Sequence, residues 1–205
     1  MLNSHGAYFA ILGASDGSMT AYDLNQNQFI DGGEKKWCIS GEIGHARCNN
    51  HSMVIASSSG TIARFNTQMG GLFPTDNKEV QILRADGPVV ALAMDDLNDE
   101  GIAGTAYGAL YYLNFTEKLI IRIVSKAYSV QRPVTSLHFN EANPQLVVTN
   151  CCNSEGGANG SSLVKVWTAQ TMDQVMKFVG APDSSGPAAF VLSSTNGGRF
   201  SVIGH

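Results

Sequence analysis

SDGSMTAYDL, residues 15–24, is a turn followed by a strand. Asp16-Gly17 supplies the positive φ that a tight hairpin needs. After it, Met19 and Ala21 face opposite to Ser18, Thr20 and Tyr22. That period of two is the mark of a half-buried antiparallel strand. The apolar run YFAIL (8–12) stands just before the turn, so the whole of 8–24 reads as strand, turn, strand. The same reading returns in MVIASSSGTIARFNT (53–67), GIAGTAYGALYYLNF (101–115) and LVVTNCCNSEGGANGSSLVKVWT (146–168), and RFSVIGH (199–205) is a shortened instance. A large side chain closes the second strand of each segment: Tyr22, Phe65, Leu113 and Trp167, at intervals of 43, 48 and 54 residues. The last interval carries an inserted polar loop, so the period lies in the forties.

Each period has room for two more strands. KKWCIS (35–40), EVQILR (79–84), KLIIRIV (118–124) and QVMKFV (174–179) follow the repeated segments. PVVALAM (88–94), PVTSLHF (133–139) and PAAFVLS (187–193) precede the next ones, and the second unit offers only HARCNN (45–50). One helical pattern competes: Met172, Val175, Met176 and Val179 recur at helical spacing, with Thr171 placed to cap them. Its position in the repeat matches KKWCIS and EVQILR, so the stretch reads as strand. The expected units are about 1–41, 42–84, 85–124, 125–180 and an incomplete 181–205. The first unit is expected to begin at its second strand. A count of about 4.8 units implies a segment of a larger closed structure, or completion by another chain.

Composition agrees with a turn-rich globular chain. Of 205 residues 22 are Gly, 43% are hydrophobic and only 15% are charged, with a net charge of −4. Phosphate backbones are held by clustered positive charge, so a nucleic-acid partner is not expected. No apolar run reaches the ~18 residues of a membrane-spanning helix, and the start lacks a basic, signal-like region. The cysteines, Cys38, Cys48, Cys151 and Cys152, show no C-x-x-C spacing, which points to free thiols in a reducing compartment.

A four-stranded unit repeating in the forties and closing on a large aromatic is the pattern of a β-propeller. SDGSMTAYDL, SSGTIARFNT and SSLVKVWTAQT resemble the strand that ends in Trp-Asp in the WD-repeat family, and Gly44-His45 resembles that family's Gly-His pair. Only Tyr22-Asp23 approximates the Trp-Asp dipeptide. Its counterparts are Phe65-Asn66, Leu113-Asn114 and Trp167-Thr168. The family's side-chain hydrogen-bond network is therefore expected to be incomplete, with apolar packing carrying more of the stability. DGPVVALAMDDLNDEGIAGTAYGALYYLNF (86–115) resembles a blade of the WD repeat-containing protein 90 family, large multi-propeller proteins associated with microtubule walls in centrioles and cilia. The resemblance implies an all-β propeller of four-stranded antiparallel blades, in about four to five units.

Several motifs suggest chemistry at first sight. Gly13-Ala14-Ser15-Asp16-Gly17 matches a hydrolase nucleophile elbow, but the elbow needs a helix next and a strand follows. His45, Cys48 and His51 form one loose cluster without the second ligand pair of a zinc site. His138 alternates with Leu137 and Phe139 and reads as a strand histidine. The acidic run Asp95–Glu100 lacks the spacing of a calcium loop and reads as a solvated turn. No cofactor or metal is expected.

The function implied is a non-catalytic protein-interaction scaffold. The resemblance extends this to a structural, microtubule-associated component of centrioles or cilia, in the cytoplasm and on its cytoskeleton. Its partners would be tubulin and axonemal or centriolar structural proteins. Two other readings stay open: an adaptor propeller, such as a ubiquitin-ligase substrate receptor or a trafficking coat subunit, and a serine hydrolase using Ser15. In the family's geometry the turn between second and third strands shares a face with the loop into the next unit. That implies a partner-binding face of Asp16, His45, Asp86, Tyr107, Arg132 and the loop Cys151–Ser162, with Asp95–Glu100 on the opposite face.

Overall fold

The computed structural model describes the chain apart from residues 1, 5–6, 31–36, 49–51, 67–72, 74–79, 96–98, 116–119, 125–131, 141–142, 154–160, 180–188, 193–199 and 204–205. Among the described residues there is no α-helix. The strands form five antiparallel sheets, each made from one stretch of sequence. The expected all-β fold of short antiparallel sheets is the fold observed.

The chain divides into two compact units, Met1–Val89 and Val90–His205. In the first unit, sheet one runs β1 (Leu2–Ser4), β2 (Ala7–Gly13), β3 (Ser18–Asp23). Its fourth place is shared by β4 (Gln28–Phe29) and β5 (Trp37–Cys38), which pair with opposite ends of β3. The expectation that this unit begins at its second strand is thereby corrected: Leu2–Ser4 pairs with Ala7–Phe9 as a short first strand. Sheet two is β6 (Ile43–Cys48), β7 (Ser52–Ser57), β8 (Thr61–Asn66) and β9 (Val80–Arg84), in that order. The weak segment HARCNN thus contains a real first strand, begun two residues earlier at Ile43.

One core fills the space between these two sheets. Met19 of the first and Ile39, just after β5, meet Met53, Ile55, Ala63 and Phe65 of the second, all buried. Met19, Ala21 and Asp23 alternate along β3 and form its buried face. Phe65 is fully buried.

In the second unit, sheet three is β10 (Val89–Asp95), β11 (Glu100–Thr105), β12 (Leu110–Asn114) and β13 (Ile120–Val124). Sheet four is β14 (Val134–Asn140), β15 (Asn143–Asn153), β16 (Ser161–Thr168) and β17 (Gln174–Val179). A two-stranded sheet, β18 (Ala189–Leu192) with β19 (Phe200–Ile203), lies against β14. Ala91, Ala93, Ile102, Leu110 and Tyr112 pack against Val134, Leu137, Val147, Leu163 and Trp167. The ambiguous stretch 174–179 is a strand. It pairs with β16 from Leu163↔Val179 to Trp167↔Gln174, and Met172, at φ 56, turns the chain into it. Val175 and Met176 are then exposed, which a helix seeking a buried stripe would not allow.

The acidic run is a second correction. Asp95 ends β10 and Glu100 begins β11, and both are buried, at 6% and 8% exposure. Asp99 turns with φ 52 and its carbonyl accepts from the Phe115 N–H at 3.1 Å. Glu100 pairs with Asn114, so the two ends of the run are not solvated as its composition suggests; residues 96–98 lie outside the described residues.

Candidate functional site

The turns that join second and third strands share one backbone solution. Gly17, Gly60 and Gly108 have φ of 82°, 81° and 83°, a conformation that costs other residues strain. In each turn an N–H closes back onto the chain: Gly17 to Ala14 O at 3.0 Å, Gly60 to Ser57 O at 3.1 Å, Gly108 to Thr105 O at 3.1 Å. The residue before the glycine is pushed outward, to solvent in all three cases: Asp16, Ser59 and Tyr107.

In the first unit these turns are stitched to the loops between sheets. Ile39 N–H donates to Gly17 O at 2.9 Å, and Ala85 N–H to Gly60 O at 2.8 Å. Ser58 and Glu42 exchange bonds: Ser58 N–H reaches Glu42 O at 2.9 Å and Glu42 N–H reaches Ser58 Oγ at 3.0 Å. Ser59 Oγ donates to Ser40 O and lies 3.0 Å from both the Ser57 and Thr61 hydroxyls. Asp16 and Asp86, two of the residues expected at a partner face, therefore stand on one end of this unit, both exposed, with Glu42 between their loops. Glu42 and the serine clamp were not singled out from sequence. The signal available was Ser57-Ser58-Ser59-Gly60 facing Ser40-Gly41, a polar turn opposite a glycine whose φ is 83°.

Asp16 has work of its own in this turn. Its Oδ1 accepts from the Ser18 N–H at 3.0 Å and from the Ser18 hydroxyl. Asp16→Ala is expected to cost about 1 kcal/mol of unfolding free energy, the worth of a turn-closing hydrogen bond. Urea melts of the variant check this. Ser15 is exposed in the same turn, and β3 follows it directly. The elbow motif is thus a hairpin.

His45 is placed differently from the expectation of a face residue. It lies within β6, opposite Ala56, after a bulge at Gly44, and is half-buried. It belongs to the sheet rather than to the exposed turns. Among the described residues no group of three His, Cys, Asp or Glu could hold a metal ion, and His51 lies outside the described residues. Cys38 and Cys48 form no disulfide among the described residues.

In the second unit Tyr107 crowns the β11–β12 turn at 51% exposure. Thr105, fully buried, fixes that turn: its Oγ1 accepts from the Ala109 N–H at 3.1 Å. Gly104 lets β14 come close, since a Cβ there would lie 2.6 Å from Val134 Cβ. Arg132 is two residues before Val134, so Tyr107 and Arg132 reach the same end of sheets three and four. The predicted loop Cys151–Ser162 is shorter than expected. Cys151–Asn153 and Ser161–Leu163 continue the β15–β16 ladder as far as Asn153↔Ser161. Residues 154–160 lie outside the described residues.

Trp167 shows how far the sheets keep a polar lock. Its indole N–H donates to Thr149 Oγ1 at 2.8 Å across β15–β16, in a buried position. At the matching place in sheet two stands Phe65, packed in the core that joins sheets one and two. No family model matches the sequence. The solved Chaetomium thermophilum Sqt1 bound to the N-terminus of the ribosomal protein L10 superposes over 99% of this chain, with a TM-score of 0.72 at 15% identity. The chain has the β-propeller fold. The Myceliophteria thermophila Cps50 (Swd1) β-propeller domain matches 91% of it at a TM-score of 0.66 and 15% identity. A chain of the mitotic checkpoint complex matches 94% at 0.64 and 15% identity. By sequence, WD repeat-containing protein 90 of Xenopus tropicalis is 23% identical over 146 residues, 67% of this chain. The chain spans 55–56% of those three solved chains and 7% of the Xenopus protein.

Proposed function

We propose that the chain is a protein-interaction scaffold that performs no catalysis and docks its partner through the turn end carrying Tyr107 and Arg132. The half-exposed Tyr107 on a turn locked by buried Thr105 carries this reading. Tyr and Arg are the residue types enriched where interfaces concentrate their binding energy. A turn already fixed in the free protein loses little conformational freedom on docking. The end of the first unit, with Asp16, Glu42 and Asp86, would suit a basic partner instead.

The finer proposal is a structural component of centriolar or ciliary microtubules, cytoplasmic and cytoskeletal, with tubulin among its partners. Its support is the resemblance to WD repeat-containing protein 90. The surface of a microtubule is acidic, so like-charge repulsion weighs against the Asp16–Glu42–Asp86 end and favours the one with Arg132. Microtubule co-sedimentation of the full-length protein tests it, with Tyr107→Ala, Arg132→Ala and deletion of residues 153–160. Tyr107→Ala and Arg132→Ala are each expected to weaken binding about 5- to 30-fold, the range of roughly 1–2 kcal/mol per interface residue. Unchanged binding in all three folded variants defeats the proposal for this end. An adaptor reading has its own support in the likeness to Sqt1, a propeller solved with the N-terminus of another protein. Under that reading the same substitutions weaken capture of a short peptide and leave microtubules unaffected.

A further inference from the structure

We propose that the outer edge of β17 receives an extended acidic peptide as a fifth strand of sheet four. β17 ends the order β14-β15-β16-β17, and among the described residues no strand pairs with its other side. A sheet edge of this kind presents a row of backbone N–H and C=O groups that an added strand can use. Gln174, Val175, Met176 and Lys177 are all exposed. The strand at the same place in sheet two is less open: Val80, Gln81 and Leu83 of β9 are half-buried.

Charge selects the occupant. Lys165 of β16 and Lys177 of β17 are direct cross-strand partners, so both lie on one face of the sheet. Leu163 and Trp167, two residues to either side of Lys165, share that face and pack with Ile102 and Tyr112 of sheet three. Like charges directly opposite one another destabilise a sheet, and this pair stands in a chain whose net charge is −4. Lys165 is half-buried, with its Nζ 5.4 Å from the centroid of the Trp167 ring. Lys177 is the exposed member, at the edge itself. The next place outward in this cross-strand row belongs to the added strand. A Glu or Asp there sets a carboxylate beside Lys177 and offsets the repulsion between the two lysines.

Residues two apart on an added strand share a face. The fitting peptide therefore alternates acidic with β-branched side chains, the latter favouring an extended backbone. A second copy of this chain does not fit, because pairing β17 with another β17 adds two more lysines to the same edge. An edge lysine discourages such pairing, which makes the edge selective rather than closed. A basic peptide is repelled for the same reason. The site lies on the edge of sheet four and uses none of the residues proposed for partner docking.

Fluorescence anisotropy of a labelled peptide of four Glu-Val repeats, titrated with the full-length protein, tests this. Binding is expected with a Kd of roughly 10–100 μM, the weak class that suits a small edge contact. A Lys-Val peptide of the same length is expected not to bind. Lys177→Glu is expected to weaken binding at least about 10-fold, since it puts like charges across the contact. Raising the salt from about 50 to about 300 mM is expected to weaken binding several-fold, because exposed charge pairs are screened. Two N-methylated Glu-Val peptides, one methylated at the Glu nitrogens and one at the Val nitrogens, separate strand addition from charge alone. Both keep the carboxylates, and one of them lacks the donors that face β17, so that one is expected to lose binding. Should Lys177→Glu fail to fold, Lys177→Gln replaces it, with an expected weakening of about 3-fold. Undiminished binding by the folded Lys177 variant, or by both N-methylated peptides, overturns the proposal. So does the absence of binding by the Glu-Val peptide up to about 500 μM protein.

Discussion

Replacing Trp167 by alanine is expected to lower the unfolding free energy by about 3–5 kcal/mol, the usual cost of emptying an aromatic site in a packed core. The residue is 4% exposed and belongs to the cluster that joins sheets three and four. Three interactions go with the ring. Apolar burial against Leu137, Val147 and Leu163 is the largest. The indole N–H to Thr149 Oγ1 bond at 2.8 Å is the second. The third is Lys165, whose Nζ stands 5.4 Å from the ring centroid, an arrangement worth well under the burial. Thr149→Val keeps the ring and leaves the indole N–H buried without its acceptor, so about 1–3 kcal/mol is expected. Trp167→Phe combined with Thr149→Val should cost less than the two single changes summed, because each single change strands the other's partner. Urea melts of these variants, and of Trp167→Phe alone, supply the values. A loss below about 1 kcal/mol for Trp167→Ala would mean that the ring does not fill the space between these sheets.

Gly17→Ala is the second change expected to do large damage, although it adds one methyl to a surface turn. At φ +82 the new side chain sits in a conformation that costs roughly 1–2 kcal/mol. Its Cβ would also lie 1.9 Å from the Ile39 carbonyl oxygen and 2.7 Å from that of Gly41. Both obstacles are backbone, so no rotamer change relieves them. Either the Ile39 N–H to Gly17 O bond breaks or the loop 39–41 moves, and that loop holds Ser40 under the Ser59 hydroxyl. The combined loss is expected to reach about 3 kcal/mol or more. Gly44→Ala is the contrast. Nothing lies within 4 Å of a Cβ at that position, and its effect should stay within about 0.5 kcal/mol. Equal losses at the two glycines, measured by thermal or urea unfolding, would refute the stitched turn.

The fold was legible because it is written in period-two alternation, and because the same four-strand phrase returns. Gln174–Val179 shows the limit of local pattern: helical spacing and strand alternation coexist there, and only repeat position separates them. What the sequence concealed was burial of polar groups. Asp95 and Glu100 read as solvated because carboxylates usually are, yet strand pairing decides their exposure. His45 was expected on the exposed face from the resemblance. The bulge at Gly44 instead carries it into the strand. The exposed place of Tyr107 was legible, since the residue stands just before a glycine in a turn. The contacts of Glu42 and Ser59 were not, because they depend on a loop meeting a turn 16 to 19 residues away.

The broken fourth place of sheet one has a practical consequence. Gln28–Phe29 is registered on Tyr22–Asp23, and Trp37–Cys38 on Ser18–Met19, each by its own pairs. Each half has its own pairs, and among the described residues Thr20 and Ala21 have no ladder partner on that side. The span between Phe29 and Trp37 can therefore be lengthened without shifting either register, at a closure cost that grows only with the logarithm of loop length. It is the natural place to splice in an epitope or a fluorescent reporter while leaving the propeller intact.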